Sequence, residues 1–189
     1  CVDGRGTGGR GAEFAKCTYL NLGVKEAQDQ VETAKHMAAQ PYVDKSRIGI
    51  WGWSFGGYMT IMSMSEGTPI FKAGAAVAAV TDWRFYDTVY VERFMRTPQQ
   101  NAEGYKAGSA FTRAANLNGR LLLVHGMADD NVLFSNSTRL IDALVNRGVQ
   151  FDLMTYPGAK HGISSRAGQR HVYKKIEMFF KQNLMKPAQ

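Results

Sequence analysis

Cysteine is scarce in this chain of 189 residues: Cys1 and Cys17 are the only two, and neither stands in a CxxC or other metal-ligand spacing. A metal centre and a dithiol redox motif therefore have no basis in the sequence, and a pair of free thiols, or at most one Cys1–Cys17 disulfide, is the expectation. Long apolar runs are missing too. The longest, such as Ala75–Val80 and Leu121–Val124, fall far short of the roughly 20 residues that a membrane-spanning helix needs. Proline is sparse, with five in all, and no Pro- or Ser-rich linker divides the chain. There is no initiator Met and no basic segment leading into an apolar stretch. The start at Cys-Val-Asp-Gly-Arg-Gly reads as a cut end, with any targeting segment removed or lying outside these residues.

What is present is the composition of one ordinary domain. A hydrophobic content of 44% suffices for a real core and excludes disorder. The 23 basic residues outnumber the 16 acidic ones, for a formal charge of +7, which raises the question of nucleic acid. The basic residues are scattered, however, with only a mild concentration from Arg166 to Lys186. A solvated basic helix face explains that spacing, and no nucleic-acid partner is expected.

An α/β alternation runs the whole length. Val24, Ala27, Val31, Ala34 and Ala38 fall at helical spacing before Pro41, so Val24 to Gln40 is expected as an amphipathic helix. Arg47–Trp53 reads as a buried strand, Gly56–Glu66 as a helix with Tyr58, Met59, Ile61 and Met62 on its core side, and Ala73–Val80 as a strand of small apolar residues. The polar-aromatic stretch from Asp82 to Ala115 suggests two short helices. Arg120–His125 is the next strand, Ser135–Arg147 a helix, Val149–Tyr156 a strand and Gly168–Leu184 a terminal helix. Strands alternating with helices imply a mostly parallel sheet covered on both faces.

Gly52-Trp53-Ser54-Phe55-Gly56 matches Gly-x-Ser-x-Gly and is followed by Gly57. The string alone is a weak signal, but it stands between a strand and a helix, the context that a nucleophile on a sharp turn requires. A serine hydroxyl is a poor nucleophile unless a base takes its proton, and the base needs an acid to fix its tautomer. His161, after the strand ending at Tyr156, can serve as base. Asp129 or Asp130, in the loop after Arg120–His125, can serve as acid, and spacing does not separate these neighbours. His36 and His171 fall inside helices, and His125 ends a strand, where a packed structural histidine is the usual occupant. Gly4-Arg5-Gly6-Thr7-Gly8-Gly9 fits Gly-x-Gly-x-x-Gly, yet the first clear helix starts near Val24, so no helix N-terminus is expected to meet a phosphate there.

Asp3-Gly-Arg-Gly-Thr-Gly, Gly52 to Tyr58, the aromatic segment Trp83 to Arg93, His125-Gly-Met-Ala-Asp-Asp-Asn-Val132 and His161-Gly-Ile together resemble the dipeptidyl peptidase IV type of catalytic domain in the prolyl oligopeptidase family. The five motifs occur in that family's order over nearly the whole chain. The resemblance implies an α/β-hydrolase fold without a cofactor, and release of N-terminal dipeptides from peptides with Pro or Ala in the penultimate position. By the same resemblance Ser54 is the nucleophile, Asp129 rather than Asp130 the acid, His161 the base, and the Phe55 backbone N–H one oxyanion donor. Val80, Trp83, Tyr86, Tyr90 and Val132 then surround the proline pocket, and Asn131 holds a substrate carbonyl. Flat apolar walls suit a pyrrolidine ring, although an aromatic cluster by itself would be read as core.

The resemblance also implies parts that these residues do not contain: an N-terminal β-propeller with paired glutamates for the substrate's amino group, a tyrosine as second oxyanion donor, and the first strands of the sheet. The expectation is therefore a C-terminal catalytic fragment, weakly active or inactive alone, with Arg47–Trp53 at a sheet edge. Its parent is expected to be a homodimer in an extracytoplasmic setting, periplasmic or at the cell surface. A related prolyl or aminoacyl serine peptidase, or an esterase on the same fold, is the alternative, but an esterase gives no reason for the Trp83–Tyr90 segment.

Overall fold

The computed structural model describes residues 1–185. Of the basic concentration noted above, Lys186 lies outside the described residues. Four strands, β1 (Gly49–Trp53), β2 (Ala73–Val77), β3 (Arg120–Gly126) and β4 (Asp152–Tyr156), form one parallel sheet in the order β1-β2-β3-β4. Parallel neighbours end on the same side, so the loops after β1, β3 and β4 open together at the carboxyl edge, where such sheets carry their sites.

Strand periodicity sorts the core into two layers. Ala73, Ala75 and Val77 of β2, with Leu122 and Val124 of β3, pack on Val172, Ile176 and Phe179 of the last helix, α8 (Arg166–Leu184). Leu121 and Leu123 of β3 and Ala76 of β2 face the other way. There they join Ala27, Val31 and Ala34 of α2 (Val24–Ala38), Tyr58, Ile61 and Met62 of α3 (Phe55–Met64), and Leu140 and Leu144 of α7 (Ser135–Asn146). Residues Gly57 through Met64 of α3 are all buried, which suits a helix apolar around most of its circumference. It sits close on the sheet because Gly74 leaves room; a Cβ there would fall 2.1 Å from Met64 Sδ.

Several sequence expectations need correction. The strand at Arg47–Trp53 begins at Gly49 and is not buried; it lies at the sheet edge, as the resemblance implied, bonded among the described residues only to β2, with Trp51 48% exposed. The Ala73–Val80 strand stops at Val77, since Ala78 adopts φ 45° and turns the chain out of the sheet. β4 begins at Asp152, not Val149. The Asp82–Ala115 segment holds three helices, α4 (Thr88–Met95), α5 (Ala102–Ala107) and α6 (Ala110–Arg113), together with 3-10 turns at Trp83–Phe85 and Ala114–Asn116. The side chains of Asp82, Asp87, Asn101 and Ser109 each cap the element that follows, the local signal that separates these short pieces. A one-turn helix, α1 (Ala12–Lys16), precedes α2 and carries no buried residue, so no apolar periodicity announces it.

No helix among the described residues is long and apolar enough to cross a membrane. Lys174 and Lys181 of α8 both pair with Glu177 on an exposed face, which is the solvated basic face that the charge spacing suggests.

Candidate active site

Ser54 stands where β1 gives way to α3, with φ 58° and ψ −117°. A left-handed φ on a residue other than glycine is strained, at about 1–3 kcal/mol, and persists only where its surroundings enforce it. Here the Ser54 N–H donates to Val77 O at 2.8 Å, tying the turn to β2. The adjacent glycines make the turn possible, though not all in the same way. A Cβ on Gly52 would lie 2.4 Å from the Gly56 backbone and one on Gly57 would lie 2.7 Å from Val77 O, whereas one on Gly56 meets nothing within 4 Å. Phe55 opens α3, so its N–H is one of the donors that a helix start leaves unpaired, and it has no acceptor among the described residues.

The loop after β3 presents Asp129, only 4% exposed. Its Oδ1 accepts the backbone N–H groups of Asn131 and Val132, each at 3.0 Å. Its Oδ2 receives His161 Nδ1 at 2.8 Å. That bond places the His161 proton on Nδ1 and leaves a lone pair on Nε2, which makes no hydrogen bond among the described residues. His161 is held in turn by its own carbonyl, which accepts Trp53 Nε1–H at 2.8 Å from the residue just before Ser54. Asp130 points elsewhere. It is exposed and pairs with Lys160 at 2.5 Å, and this hydrogen-bonded cation lowers its pKa. The acid and base loops are further joined by Met127 N–H to Tyr156 O and Ala128 N–H to Ala159 O, both 3.0 Å.

Beside this group lies a run of touching rings. Trp83 stacks with Tyr90 at 6.1 Å between centroids, Tyr86 meets Tyr90 edge-on at 5.5 Å, and Tyr58 meets Trp83 at 4.8 Å. The side chain of Phe55 joins them, 5.8 Å from Trp83 and 5.6 Å from Tyr58, a packing role that the sequence did not suggest. Val80, Trp83 and Val132 are almost wholly buried and set the shape from behind. Tyr86 and Tyr90 are half-buried and Asn131 is exposed, so these three present the accessible surface. Burial raises the pKa of both tyrosines. Tyr86 Oη donates to Asn131 Oδ1 at 2.8 Å, which leaves the Asn131 amide N–H groups outward and free to meet a carbonyl.

The other histidines take the places the sequence suggests, two at the surface and His125 packed at the end of β3. His36 is exposed on α2, and His171 is exposed on α8 with Nδ1 2.8 Å from Tyr156 Oη. His125 does not stand apart: it is fully buried, and its Nε2 lies 3.1 Å from the same Asp129 Oδ2 that His161 uses. Burial lowers its pKa.

The "Prolyl oligopeptidase family" profile matches residues 1–187. This chain belongs to the prolyl oligopeptidase family. Among its relatives, "Probable dipeptidyl-aminopeptidase B" of Neurospora crassa is 48% identical over 178 residues, 93% of this chain and 19% of that protein. Dipeptidyl peptidase 4 of Felis catus is 44% identical over 183 residues, 95% of this chain and 24% of the relative. The crystal structure of Porphyromonas gingivalis dipeptidyl peptidase 4 superimposes with a TM-score of 0.95 at 53% identity, over 97% of this chain and 26% of that one. The chain thus spans about a quarter or less of the length of these relatives, and within that span it has the family's α/β-hydrolase fold.

Proposed function

We propose that this chain is the catalytic portion of a serine exopeptidase that releases N-terminal dipeptides with Pro or Ala in the penultimate position. The observation that carries the reading is the strained Ser54 turn at the same sheet edge as the Asp129–His161 pair, with the Tyr86–Tyr90–Asn131 surface alongside. In this mechanism Ser54 Oγ attacks the substrate carbonyl while His161 Nε2 takes its proton. Asp129 holds the Nδ1–H tautomer and stabilises the imidazolium that forms. The developing oxyanion accepts the Phe55 N–H, a donor without an acceptor among the described residues. His161 then returns the proton to the leaving amine, and water releases the acyl group by the same steps in reverse.

The pocket reading follows from shape. A penultimate Pro or Ala places a short apolar group against the rings of Tyr86 and Tyr90, with Trp83, Val80 and Val132 keeping those rings in position, and the Asn131 N–H groups bind a substrate carbonyl. Part of the machinery is expected on a longer chain: a propeller that grips the substrate's amino group, a second oxyanion donor, and a dimeric, extracytoplasmic parent. Without one oxyanion donor, turnover should fall by about two to three orders of magnitude, so these 189 residues alone are expected to be a poor peptidase.

Tyr86→Ala and Tyr90→Ala in the full-length enzyme test the assignment. Each should lower kcat/KM for an Ala-Pro anilide by about tenfold or more and leave hydrolysis of a small activated ester nearly unchanged, because one wall is lost while the nucleophile stays intact. Equal losses on both substrates would overturn the pocket reading.

A further inference from the structure

We propose that His125 is a positioning residue for the reaction: by sharing Asp129 Oδ2 with His161, it fixes the plane of the acid that orients the base. The inference rests on the reading of Ser54, Asp129 and His161 as a triad.

His125 ends β3 and is fully buried, where an imidazole without partners would be costly. All of its hydrogen-bonding capacity is used. Nδ1 lies 2.7 Å from Ser137 Oγ on α7, and Nε2 lies 2.9 Å from Val132 O and 3.1 Å from Asp129 Oδ2. Two acceptors converge on Nε2, so the proton belongs there, and Nδ1 then accepts the Ser137 hydroxyl. The ring is fixed in one tautomer as a bifurcated donor.

The consequence falls on Asp129. Two backbone N–H groups hold its Oδ1, but both come from the two or three residues that follow it, so they anchor the carboxylate only to its own loop. His125 is the contact that anchors Oδ2 to the sheet and, through Ser137, to α7. A carboxylate free to rotate about its Cβ–Cγ bond would swing Oδ2 away from His161 Nδ1, and the 2.8 Å bond between them would lengthen. Supporting groups behind a catalytic residue act in this way: they touch no substrate, yet they set the geometry on which the rate depends. The packing of His125 edge-on against Phe134 at 5.5 Å holds the ring in that orientation.

Two conservative variants separate this role from plain core filling. In His125→Gln the side-chain amide nitrogen reaches the position of Nε2 and can still donate to Asp129. In His125→Asn the amide reaches only the position of Nδ1, keeping a polar contact to Ser137 but not the bond to Asp129. Both are measured in the full-length enzyme, with active sites counted by a fluorophosphonate that labels Ser54. Alongside, proton NMR of the same full-length enzyme follows the downfield resonance of the His161 Nδ1–H. The expected result is that His125→Asn lowers kcat about 10- to 100-fold with KM within about twofold, and shifts or broadens that resonance, whereas His125→Gln stays within about fivefold of the unsubstituted enzyme with the resonance in place. Equal kcat per titrated site in the two variants, or a resonance unmoved in His125→Asn, would overturn the role of His125 while leaving the triad standing. Failure of the unsubstituted protein to label at Ser54 would instead overturn the triad reading, and this inference with it.

Discussion

Asparagine scanning of the two adjacent aspartates gives a sharp contrast, because Asp129 and Asp130 differ in surroundings and not in chemistry. Asp129→Asn keeps the volume, and its Oδ1 can still accept the N–H groups of Asn131 and Val132. The new Nδ2, however, faces His161 Nδ1 and His125 Nε2, where a donor now meets two donors. His161 can relieve the conflict only by moving its proton to Nε2, which removes the lone pair that takes the Ser54 proton. His125 cannot follow at no cost, since an unprotonated Nε2 would then face the lone pairs of Val132 O. The wrong tautomer in a Ser-His-Asp system lowers kcat by about 10⁴, and the same loss is expected here. Asp130→Asn breaks only an exposed pair with Lys160. Such pairs are well screened, and kcat/KM should stay within about threefold. The assay is steady-state hydrolysis of an Ala-Pro anilide by the full-length enzyme at pH 7.5, with thermal unfolding as a control for fold. A larger loss for Asp130→Asn than for Asp129→Asn would refute the assignment of the acid and the tautomer argument behind it.

Tyr58→Phe should destabilise this chain by about 2–3 kcal/mol in urea unfolding, since the fully buried hydroxyl serves Gly108 O at 2.7 Å, Leu22 O at 3.0 Å and Trp83 Nε1–H at 3.2 Å; a change below 0.5 kcal/mol would show that those groups find other partners. Burial lowers the pKa of His125 below its ordinary 6.5, so the unfolded chain binds the proton more readily. Stability held above about pH 6.5 should therefore decline as the pH falls through 6.5 toward the folded value, and His125→Gln should flatten that part of the urea-midpoint profile. An unaltered slope between pH 7.5 and pH 5 would contradict this. Gly57→Ala should be far more damaging to folding than Gly56→Ala, because its Cβ would meet Val77 O at 2.7 Å while the space at Gly56 is open; circular dichroism melts of both variants decide it, and equal melts would refute the packing argument.

The contrast between those glycines shows what the sequence could carry. Gly-x-Ser-x-Gly pointed to the strand-turn-helix around Ser54, but both glycines looked alike in the string, and only the approach of β2 separates the crowded Gly57 from the free Gly56. The long elements were legible because burial follows their periodicity, as with Ala27, Val31 and Ala34 on α2 and the small residues of β2. Short helices between Asp82 and Asn116 were expected, but not their number or bounds. Where each begins is decided turn by turn through the caps at Asp87, Asn101 and Ser109, and pieces of four to eight residues are too short for a period to emerge. The apolar pattern of Arg47–Trp53 alone reads as a two-sided strand, because pairing is decided by partners distant in the chain; only the resemblance placed it at an edge, where β1 lies with Trp51 exposed. His125 was legible as a packed histidine at the end of a strand. That its Nε2 turns toward Asp129 depends on how the loop folds back over four residues, which spacing does not encode.

The central claim is that Ser54 is a nucleophile activated by His161, and covalent labelling tests it most directly. The folded full-length enzyme treated with a fluorophosphonate, followed by intact mass measurement and peptide mapping, should acquire one adduct, on Ser54. The adduct should be absent in Ser54→Ala, absent after denaturation in urea, and strongly slowed in His161→Ala. Labelling that is missing from the folded protein, that maps to another residue, or that proceeds equally well in urea would contradict the account.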